Sequence, residues 1–270
     1  MADDRPTLAV IADLHGNLPA LEAVLADLER GRPDRVVVAG DFVNRGPQSG
    51  AVLERIIPLG FDSISGNHDT WLASLARGHN HPAEWETSWW TPVRRAVAEL
   101  TPAHLAYLDA LPFSLRVELP GAAPIRVVHG SPRNNREGMG RLRSDTDVAA
   151  ALAGVEEETV VAAHIHYPYE RHVAGRHVIV TGAVGCPFNG DINAQYGLFT
   201  WEGSAWRNSG YLADGSLSAE LMMLEHQTAR TQYVPFWEWA MERDLPLTRD
   251  HYDRFAAERE PFTPPPMRAG

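Results

Sequence analysis

The chain has 270 residues, of which 44% are hydrophobic and 22% are charged, proportions typical of a globular protein with a complete core. Its formal net charge of -11 argues against tight binding to nucleic acids or anionic membranes, because both depend on basic side chains that neutralise phosphates. A single cysteine, Cys186, excludes an internal disulfide framework, and no apolar segment approaches the length of a membrane span. The first apolar run, residues 8–12, is too short for a signal-peptide core, so we expect a cytoplasmic protein.

The first third of the chain alternates between strand and helix patterns. We predict strands at residues 7–12, 35–39 and 61–65, and helices at residues 19–30 and 49–57. The polar residues that follow these strands recur at 28 positions (Asp13 to Asp41) and 26 positions (Asp41 to Asn67), close to the ~30 residues of one βαβ unit. This period predicts parallel strands in an α/β fold.

The rest of the chain is less regular. Residues 71–112 are predicted to be a helical cap insertion into a catalytic domain that spans residues 1–210. Residues 211–270 are predicted to be a C-terminal helical extension packed on the core, and their aromatic residues leave a homodimer open. Within the insertion we predict helices at 92–100 and 102–110, and beyond it strands at 125–128, 159–163, 177–180 and 196–201, with a helix at 145–153.

Five short polar clusters each follow an apolar run directly. They are Asp13-x-His15, Gly40-Asp41, Gly66-Asn67-His68-Asp69, His129 and His164-x-His166. In an open α/β sheet, residues just past the carboxyl ends of parallel strands converge on one crevice. The clusters are therefore expected to meet in space, and together they predict a metal site.

Spacing and residue type suggest a role for some of these clusters. Asp13 and His15 are two positions apart, as are His164 and His166, so in an extended backbone each pair leaves one face and could share a metal. Either pair alone would more often be a solvated strand end. Asp41 could bridge two cations held ~3.5–4 Å apart, or it could cap a loop.

The cluster at residues 66–69 suggests a division of labour. Consecutive side chains in a strand-to-helix turn must point in different directions, so they cannot all bind one ion. We therefore predict that Asn67 is a ligand, that His68 faces the substrate, and that Asp69 orients His68. In isolation this tetrapeptide would more simply be read as a helix cap by Asn67 or Asp69, and His129 as a buried imidazole.

In their order and residue types, the five clusters resemble the motif set of the calcineurin-like metallophosphoesterase superfamily. That set, Asp-x-His, Gly-Asp, Gly-Asn-His-Asp, His and Gly-His-x-His, is matched across residues 13–166. The segments at residues 12–17 and 40–47 are most similar to a small bacterial branch of predicted phosphodiesterases. The last motif departs from the pattern, with Ala163 where Gly is usual and Ile165 where Thr is common, but every ligand position is kept.

The resemblance implies a four-layer αββα sandwich with two mixed sheets and a dinuclear metal centre. It implies that the first metal is bound by Asp13, His15 and His166, that the second is bound by Asn67, His129 and His164, and that Asp41 bridges both. Two divalent transition-metal ions are the implied cofactors. Manganese is favoured by family likeness, and iron, zinc, nickel or cobalt would also suit these ligands.

Such a centre would hydrolyse a phosphoester by attack of a hydroxide shared by the metals, with a water pKa lowered from ~15.7 toward ~7. His68 is the predicted general acid, and Asp69 its predicted orienting partner. Arg45 and Asn67 are the predicted substrate contacts, although a surface ion pair is about as plausible for Arg45. A phosphodiester of a small molecule is the favoured substrate.

Two other functions remain open at this point. A monoesterase or phosphoprotein phosphatase would share the same ligand set. A catalytically silent metal-binding scaffold is less favoured because His68 and all seven ligand positions are intact. Four tryptophans of the insertion could pack or could stack on a nucleobase, namely Trp71, Trp85, Trp89 and Trp90.

Overall fold

The computed structural model describes residues 5–83, 85–86, 90–189 and 193–213, together with positions 254, 257 and 258. Within these residues the helices are α1 (Leu18–Gly31), α2 (Ser49–Ile56), α3 (Asn67–Ala76), α4 (Thr91–Ala98), α5 (Pro102–Ala110) and α6 (Asp145–Ala151), with a 3₁₀ turn at Ile57–Leu59. The strands are β1 (Thr7–Ile11), β2 (Arg35–Val38), β3 (Asp62–Ser63), β4 (Ser114–Val117), β5 (Ile125–Val128), β6 (Thr159–Ala162), β7 (Tyr169–Val173), β8 (Arg176–Val180), β9 (Ala194–Trp201), β10 (Trp206–Asn208) and β11 (Tyr211–Ala213).

The strands form two mixed sheets. The first has the order β10-β9-β1-β2-β3, with β11 pairing on β9, and the second has the order β4-β5-β6-β8-β7. Strands β1, β2 and β3 are parallel, as the βαβ period predicts, whereas β9 runs antiparallel to β1. In the second sheet β5, β6 and β8 are parallel, and the edge strands β4 and β7 are antiparallel to their neighbours.

The two sheets pack face to face between helices. Along β1, Leu8 and Val10 point into the core between the sheets, while Ala9 and Ile11 point into the core beneath the helices, as the two-residue period of a strand requires. Helices α1 and α2 cover the first sheet, and α6 covers the outer face of the second through Val148. The predicted four-layer αββα sandwich is confirmed.

Asn17 ties the first helix to a loop of the active face. Its side-chain oxygen accepts a hydrogen bond from the backbone N–H of Ala20 (3.2 Å), which caps α1. Its amide nitrogen donates to the carbonyl of Gly185 (2.9 Å). One buried side chain therefore starts a helix and holds a loop 168 positions away.

Each strand and helix predicted up to residue 201 is present, with ends within two residues of the expected ones. The strands β4, β7, β10 and β11 were not predicted. Both β4 and β7 lie at sheet edges with partly exposed side chains, so they lack the continuous apolar run that marks a central strand.

The predicted helical insertion corresponds to α4 and α5, which pack near α3. The predicted C-terminal extension starts with a strand rather than a helix, because residues 211–213 pair with β9. Apart from the three positions given above, the remainder of the extension lies outside the described residues. Among the described residues, no helix combines the length and the apolarity needed to cross a bilayer.

Candidate metal centre

All seven predicted ligand residues lie at one edge of the sandwich. Asp13 and His15 follow β1, Asp41 follows β2, Asn67 begins α3, His129 follows β5, and His164 and His166 follow β6. The ends of two strands from each sheet therefore supply the centre. This juxtaposition puts the candidate site on the seam between the sheets.

The turns that carry these residues are not extended. Asp13, His15, Asp41, His164 and His166 all have positive φ, between 48° and 70°, a conformation that is uncommon for residues other than glycine. Such backbone costs about 1–3 kcal/mol per residue and persists only where its surroundings hold it. The extended-backbone argument for the two spaced pairs was therefore wrong, although Asp13 and His15 do converge.

Two groups of side chains face one another in this centre. The first ligand group contains Asp13, His15, Asp41 and His166, whose potential ligand atoms all lie within 4.8 Å of one another. The second contains Asp41, His129 and His164 within the same limit, and the Asn67 Oδ1 atom joins it at 3.0 Å from His129 Nε2. Asp41 belongs to both groups. His166 lies in the first group and His164 in the second, so these two histidines do not share one metal position as their spacing suggested.

Backbone carbonyls set the direction of the four imidazoles. A carbonyl can only accept a hydrogen bond, so the ring nitrogen facing it carries the proton and the other nitrogen is left to bind a cation. Each ring donates to the backbone carbonyl of one residue: His15 Nδ1 to Val43 (3.2 Å), His129 Nδ1 to Ala39 (2.8 Å), His166 Nδ1 to Cys186 (2.5 Å) and His164 Nε2 to Arg136 (3.1 Å). His164 thus presents Nδ1, whereas the other three present Nε2.

The two carboxylates provide a test of whether cations fit. Asp13 Oδ1 and Asp41 Oδ2 are buried, and among the described residues each faces an imidazole nitrogen as its nearest polar neighbour. His166 Nε2 lies 3.3 Å from the first oxygen, and His129 Nε2 lies 3.2 Å from the second. Because these atoms all carry lone pairs, either a proton or a metal cation has to lie between them. Mixed imidazole, carboxylate and amide donors suit divalent transition metals, so the residues fit the implied pair of ions.

The pKa values show where protons reside without metal. Burial opposes the charge of His129, yet the Asp41 carboxylate raises its pKa to about 9. Burial also opposes the charge of His166, and the Asp13 carboxylate raises its pKa to about 10. By contrast, burial lowers the pKa of His15 well below its usual value. Metal-free protein therefore holds protons at His129 and His166 in the neutral range.

Asp69 does not contact His68, contrary to the sequence-based prediction. It is fully buried and accepts three backbone hydrogen bonds, from Gly66 and Asp41 to Oδ2 and from Phe42 to Oδ1, each at 2.8 Å. Burial and the nearby Asp41 carboxylate raise its pKa to about 7, and the Gly66 and Asp41 amides oppose that rise. Asp69 thus joins the start of α3 to the Asp41 turn, and its bond to Gly66 is also the helix cap that the tetrapeptide alone suggests.

Asn44 is the partner of His68. Its side-chain oxygen accepts from the Arg45 backbone N–H (2.8 Å), so its amide nitrogen faces His68 Nδ1 at 2.7 Å. This contact leaves the proton of a neutral His68 imidazole on Nε2. Burial lowers the pKa of His68 to about 4, so the ring is neutral at pH 7 and donates as neutral imidazole. The sequence shows Asn44 only as a residue next to a glycine–aspartate motif, with no signal of this contact.

Arg45 also lies at the centre. Its positive charge is close enough to lower the pKa of both His15 and His68, and its guanidinium lies 5.6 Å from the centre of the Phe188 ring. The Phe188 ring in turn stacks on His166, with 4.4 Å between ring centres. Nothing in the sequence marks Phe188 as a residue of the site.

The tryptophans of the insertion form an aromatic chain that starts at His68. The rings of Trp71 and His68 are 5.8 Å apart, and Trp90 lies 6.1 Å from both Trp71 and Trp85. Trp71 and Trp85 are partly buried and pack against the helical core, whereas Trp89 lies outside the described residues. Packing is the role visible for these rings, and stacking on a nucleobase stays a prediction.

The loop at residues 181–185 is hydrogen-bonded to the turn that carries Asp13. The backbone N–H groups of Val184 and Gly185 donate to the carbonyls of Ala12 and Asp13, both at 2.9 Å. A Cβ atom on Gly185 would lie 2.0 Å from the carbonyl oxygen of Leu14. Only glycine allows this close approach of two backbone segments.

Comparisons with known proteins agree with this geometry. The family model of the calcineurin-like phosphoesterases matches residues 6–181. The chain is 42% identical over 84 residues to a symmetrical bis(5'-nucleosyl)-tetraphosphatase of Acidovorax sp. (strain JS42), which covers 30% of each chain. The fold of this chain resembles that of a metallophosphoesterase of Sphaerobacter thermophilus, with a TM-score of 0.61 and 25% identity. The match covers 94% of this chain and 99% of the other. A hypothetical protein of Pyrococcus horikoshii OT3 gives a TM-score of 0.66 with 22% identity, over 82% and 93% of the two chains.

The coverage differs between these relatives. The chain spans about 30% of the length of the tetraphosphatase, whereas it spans nearly all of the Sphaerobacter protein. The similarity to the tetraphosphatase is therefore local, and the similarity in fold to the Sphaerobacter protein covers 94% of this chain.

Metal binding is expected to release protons. At pH 7.5 the imidazoles of His129 and His166 are protonated in metal-free protein, so loading with manganese should release about two protons. Affinity should rise with pH until both groups have lost their protons, near pH 9–10. Titration calorimetry in buffers of different ionisation enthalpy counts these protons, and a count near zero at pH 7.5 would contradict the arrangement.

Asp69 and Asn44 are expected to act on different parts of the centre. Asp69→Asn cannot accept all three backbone hydrogen bonds, so the Asp41 turn should loosen and manganese affinity should fall about 10- to 100-fold. Asn44→Gly tolerates the positive φ of 73° and should keep metal affinity while changing the tautomer of His68. Calorimetry and nitrogen NMR of the metal-free imidazoles measure the two effects. If Asp69→Asn keeps full metal affinity but changes the tautomer of His68, then Asp69 orients His68 as the sequence suggested.

Proposed function

This chain belongs to the calcineurin-like phosphoesterase family, and from that premise we propose that it is a dinuclear metal-dependent phosphoesterase acting on a small molecule. One observation carries the proposal. Two buried ligand groups share Asp41, and in each group a carboxylate oxygen faces imidazole nitrogens. This grouping of carboxylate and imidazole donors suits a pair of divalent cations.

The two ligand groups would each hold one divalent cation. Asp13, His15 and His166 belong to the first position, Asn67, His129 and His164 to the second, and Asp41 lies between them. When bound, the cations lower the pKa of bound water toward ~7 and offset phosphate charge. We propose manganese by family likeness, and iron, zinc, nickel and cobalt suit the same donors.

His68 and Arg45 have separate tasks in this proposal. With Asn44 on its Nδ1 atom, His68 directs the Nε2 proton outward, where it can pass to the oxygen of the leaving group. His68 offers this proton as neutral imidazole, because Nδ1 stays the acceptor of the Asn44 amide. Arg45 supplies a positive charge beside His68 for the non-bridging phosphate oxygens, while Asp69 acts by holding Asp41.

A phosphate that carries substituents on two sides is the substrate class we favour. Small phosphodiesters have this form. So do the inner phosphates of a dinucleoside tetraphosphate, and the relative named a symmetrical bis(5'-nucleosyl)-tetraphosphatase makes that the second candidate. A monoesterase or phosphoprotein phosphatase, and a silent scaffold, are the alternatives that an assay separates.

The remaining features follow from composition. The free, buried Cys186 is consistent with a reducing compartment, and we propose a cytoplasmic location. The net charge of -11 favours a small-molecule partner over tight nucleic-acid binding. A homodimer formed through the C-terminal residues stays a proposal, since those residues lie outside the described part of the chain.

A hydrolysis panel tests the proposed function. Protein loaded with manganese should cleave aryl and nucleotide diesters or diadenosine tetraphosphate faster than phosphomonoesters, with about two metal ions per chain by elemental analysis. Asp41→Asn should lose both metals and activity, because it removes the charge shared by the two groups. The control Asp109→Asn, whose side chain is 55% exposed, should retain both. If the wild-type protein is inactive with every first-row divalent metal, the proposal is refuted. If it prefers phosphomonoesters, the protein is a monoesterase and not a diesterase.

His68→Ala separates binding from turnover. The side chain belongs to neither ligand group, so metal content should be retained, while kcat should fall about 10²- to 10⁴-fold. The loss should be greatest with poor leaving groups and should shrink with p-nitrophenolate, which departs without protonation. A variant with full kcat on a poor leaving group would show that His68 is not the proton donor.

A further inference from the structure

A groove opens beside the candidate metal centre, and His68 is not among its lining residues. It has a volume of about 280 Å³ and is bordered by residues of three segments. Its lining residues include Arg141, Leu142, Arg143, Ile165, Tyr167 and Phe188. This surface is not part of either ligand group, and the catalytic proposal above does not use it.

The groove is continuous with the centre through Phe188. The Phe188 ring lines the groove and stacks on His166 of the first ligand group, with 4.4 Å between the ring centres. The centre of the same ring lies 5.6 Å from the guanidinium carbon of Arg45. Ile165 lies in the chain between His164 and His166 and contributes to the groove wall. The groove therefore adjoins the first ligand group through Phe188 and Ile165.

The lining combines exposed apolar surface with positive charge. Leu142 is 91% exposed and Phe188 is 41% exposed, so both present apolar surface at the groove. The arginine loop, residues 131–144, contains four arginines and one glutamate in a chain whose net charge is -11. The Arg141 guanidinium lies 5.0 Å from the centre of the Tyr167 ring, so cation and aromatic face already adjoin each other.

We propose that this groove is a subsite for the nucleoside part of the substrate, a planar base carried on the reacting phosphate. The base would lie against Phe188, Tyr167, Leu142 and the Arg141 guanidinium, and Arg143 would face the phosphate oxygens. The inference rests on the proposed phosphoesterase function and specifies its substrate as a nucleotide ester. It also fixes the orientation of a bound phosphodiester, in which the leaving group points toward His68 and the nucleoside points toward Phe188.

A matched pair of diesters tests the subsite. Thymidine 5'-(p-nitrophenyl) phosphate and methyl p-nitrophenyl phosphate share a leaving group and differ only in the nucleoside. The wild-type protein with manganese should prefer the thymidine ester in kcat/KM, and Leu142→Ser and Arg141→Gln should each reduce that preference about 10-fold. Both positions are exposed, so folding should not change. The controls Leu59→Ser and Arg207→Gln, at exposed positions outside the groove lining, should keep the wild-type ratio.

Calorimetry with thymidine 5'-monophosphate and methyl phosphate provides a readout that does not need turnover. The wild type should bind the nucleotide more tightly than methyl phosphate, and the groove variants should lose about 10-fold of that difference. Cleavage of both esters with an equal ratio in every variant would overturn the subsite and leave the phosphoesterase intact. Failure to cleave either ester would instead count against the proposed function, and the nucleotide binding difference would then decide whether the groove recognises nucleosides.

Discussion

Two buried carboxylates impose the strongest constraint on this structure. Asp13 and Asp41 are at most 1% exposed, and each turns one oxygen toward an imidazole nitrogen of the opposite sheet. An uncompensated buried charge costs several kcal/mol, and each left-handed turn adds about 1–3 kcal/mol. The fold can hold these residues only if positive charge lies between the carboxylates and the imidazoles. Protons on His129 and His166 meet this requirement in the metal-free state, and the cations of the proposed dinuclear centre would meet it when bound.

The double-sheet architecture explains how such a centre is assembled. Each sheet contributes the ends of two adjacent parallel strands, so the ligand groups form only when the sheets pack together. Backbone carbonyls then select the nitrogen that each histidine presents, and Asp69 connects the Asp41 turn to helix α3. The supporting contacts are mostly to the main chain. Their geometry therefore depends on how the loops are held, as at Gly185, more than on side-chain identity.

Charge around the centre is distributed unevenly. The chain as a whole is acidic, yet Arg45 and the arginine loop lie next to the ligand groups, so positive charge is concentrated where a phosphate would bind. Phe188 connects the metal centre to the groove, and His68 connects it to the tryptophans of the insertion. The centre consequently has two distinct aromatic sides, which suits a phosphate substituted at both ends.

The sequence by itself determined the elements and the candidate ligands. Apolar periodicity and glycine or proline stops are local signals, so the central strands and helices were located within two residues, whereas edge strands such as β7 gave no such signal. The family resemblance carried by the polar clusters implied all seven residues that meet at the centre. Only the tertiary structure decided that Asp69 holds Asp41, that Asn44 faces His68, and that Phe188 borders a groove. These contacts could not be predicted because they join residues that are distant in the chain, as His15 and His166 are at 151 positions apart, and their distances are set by the packing of two sheets.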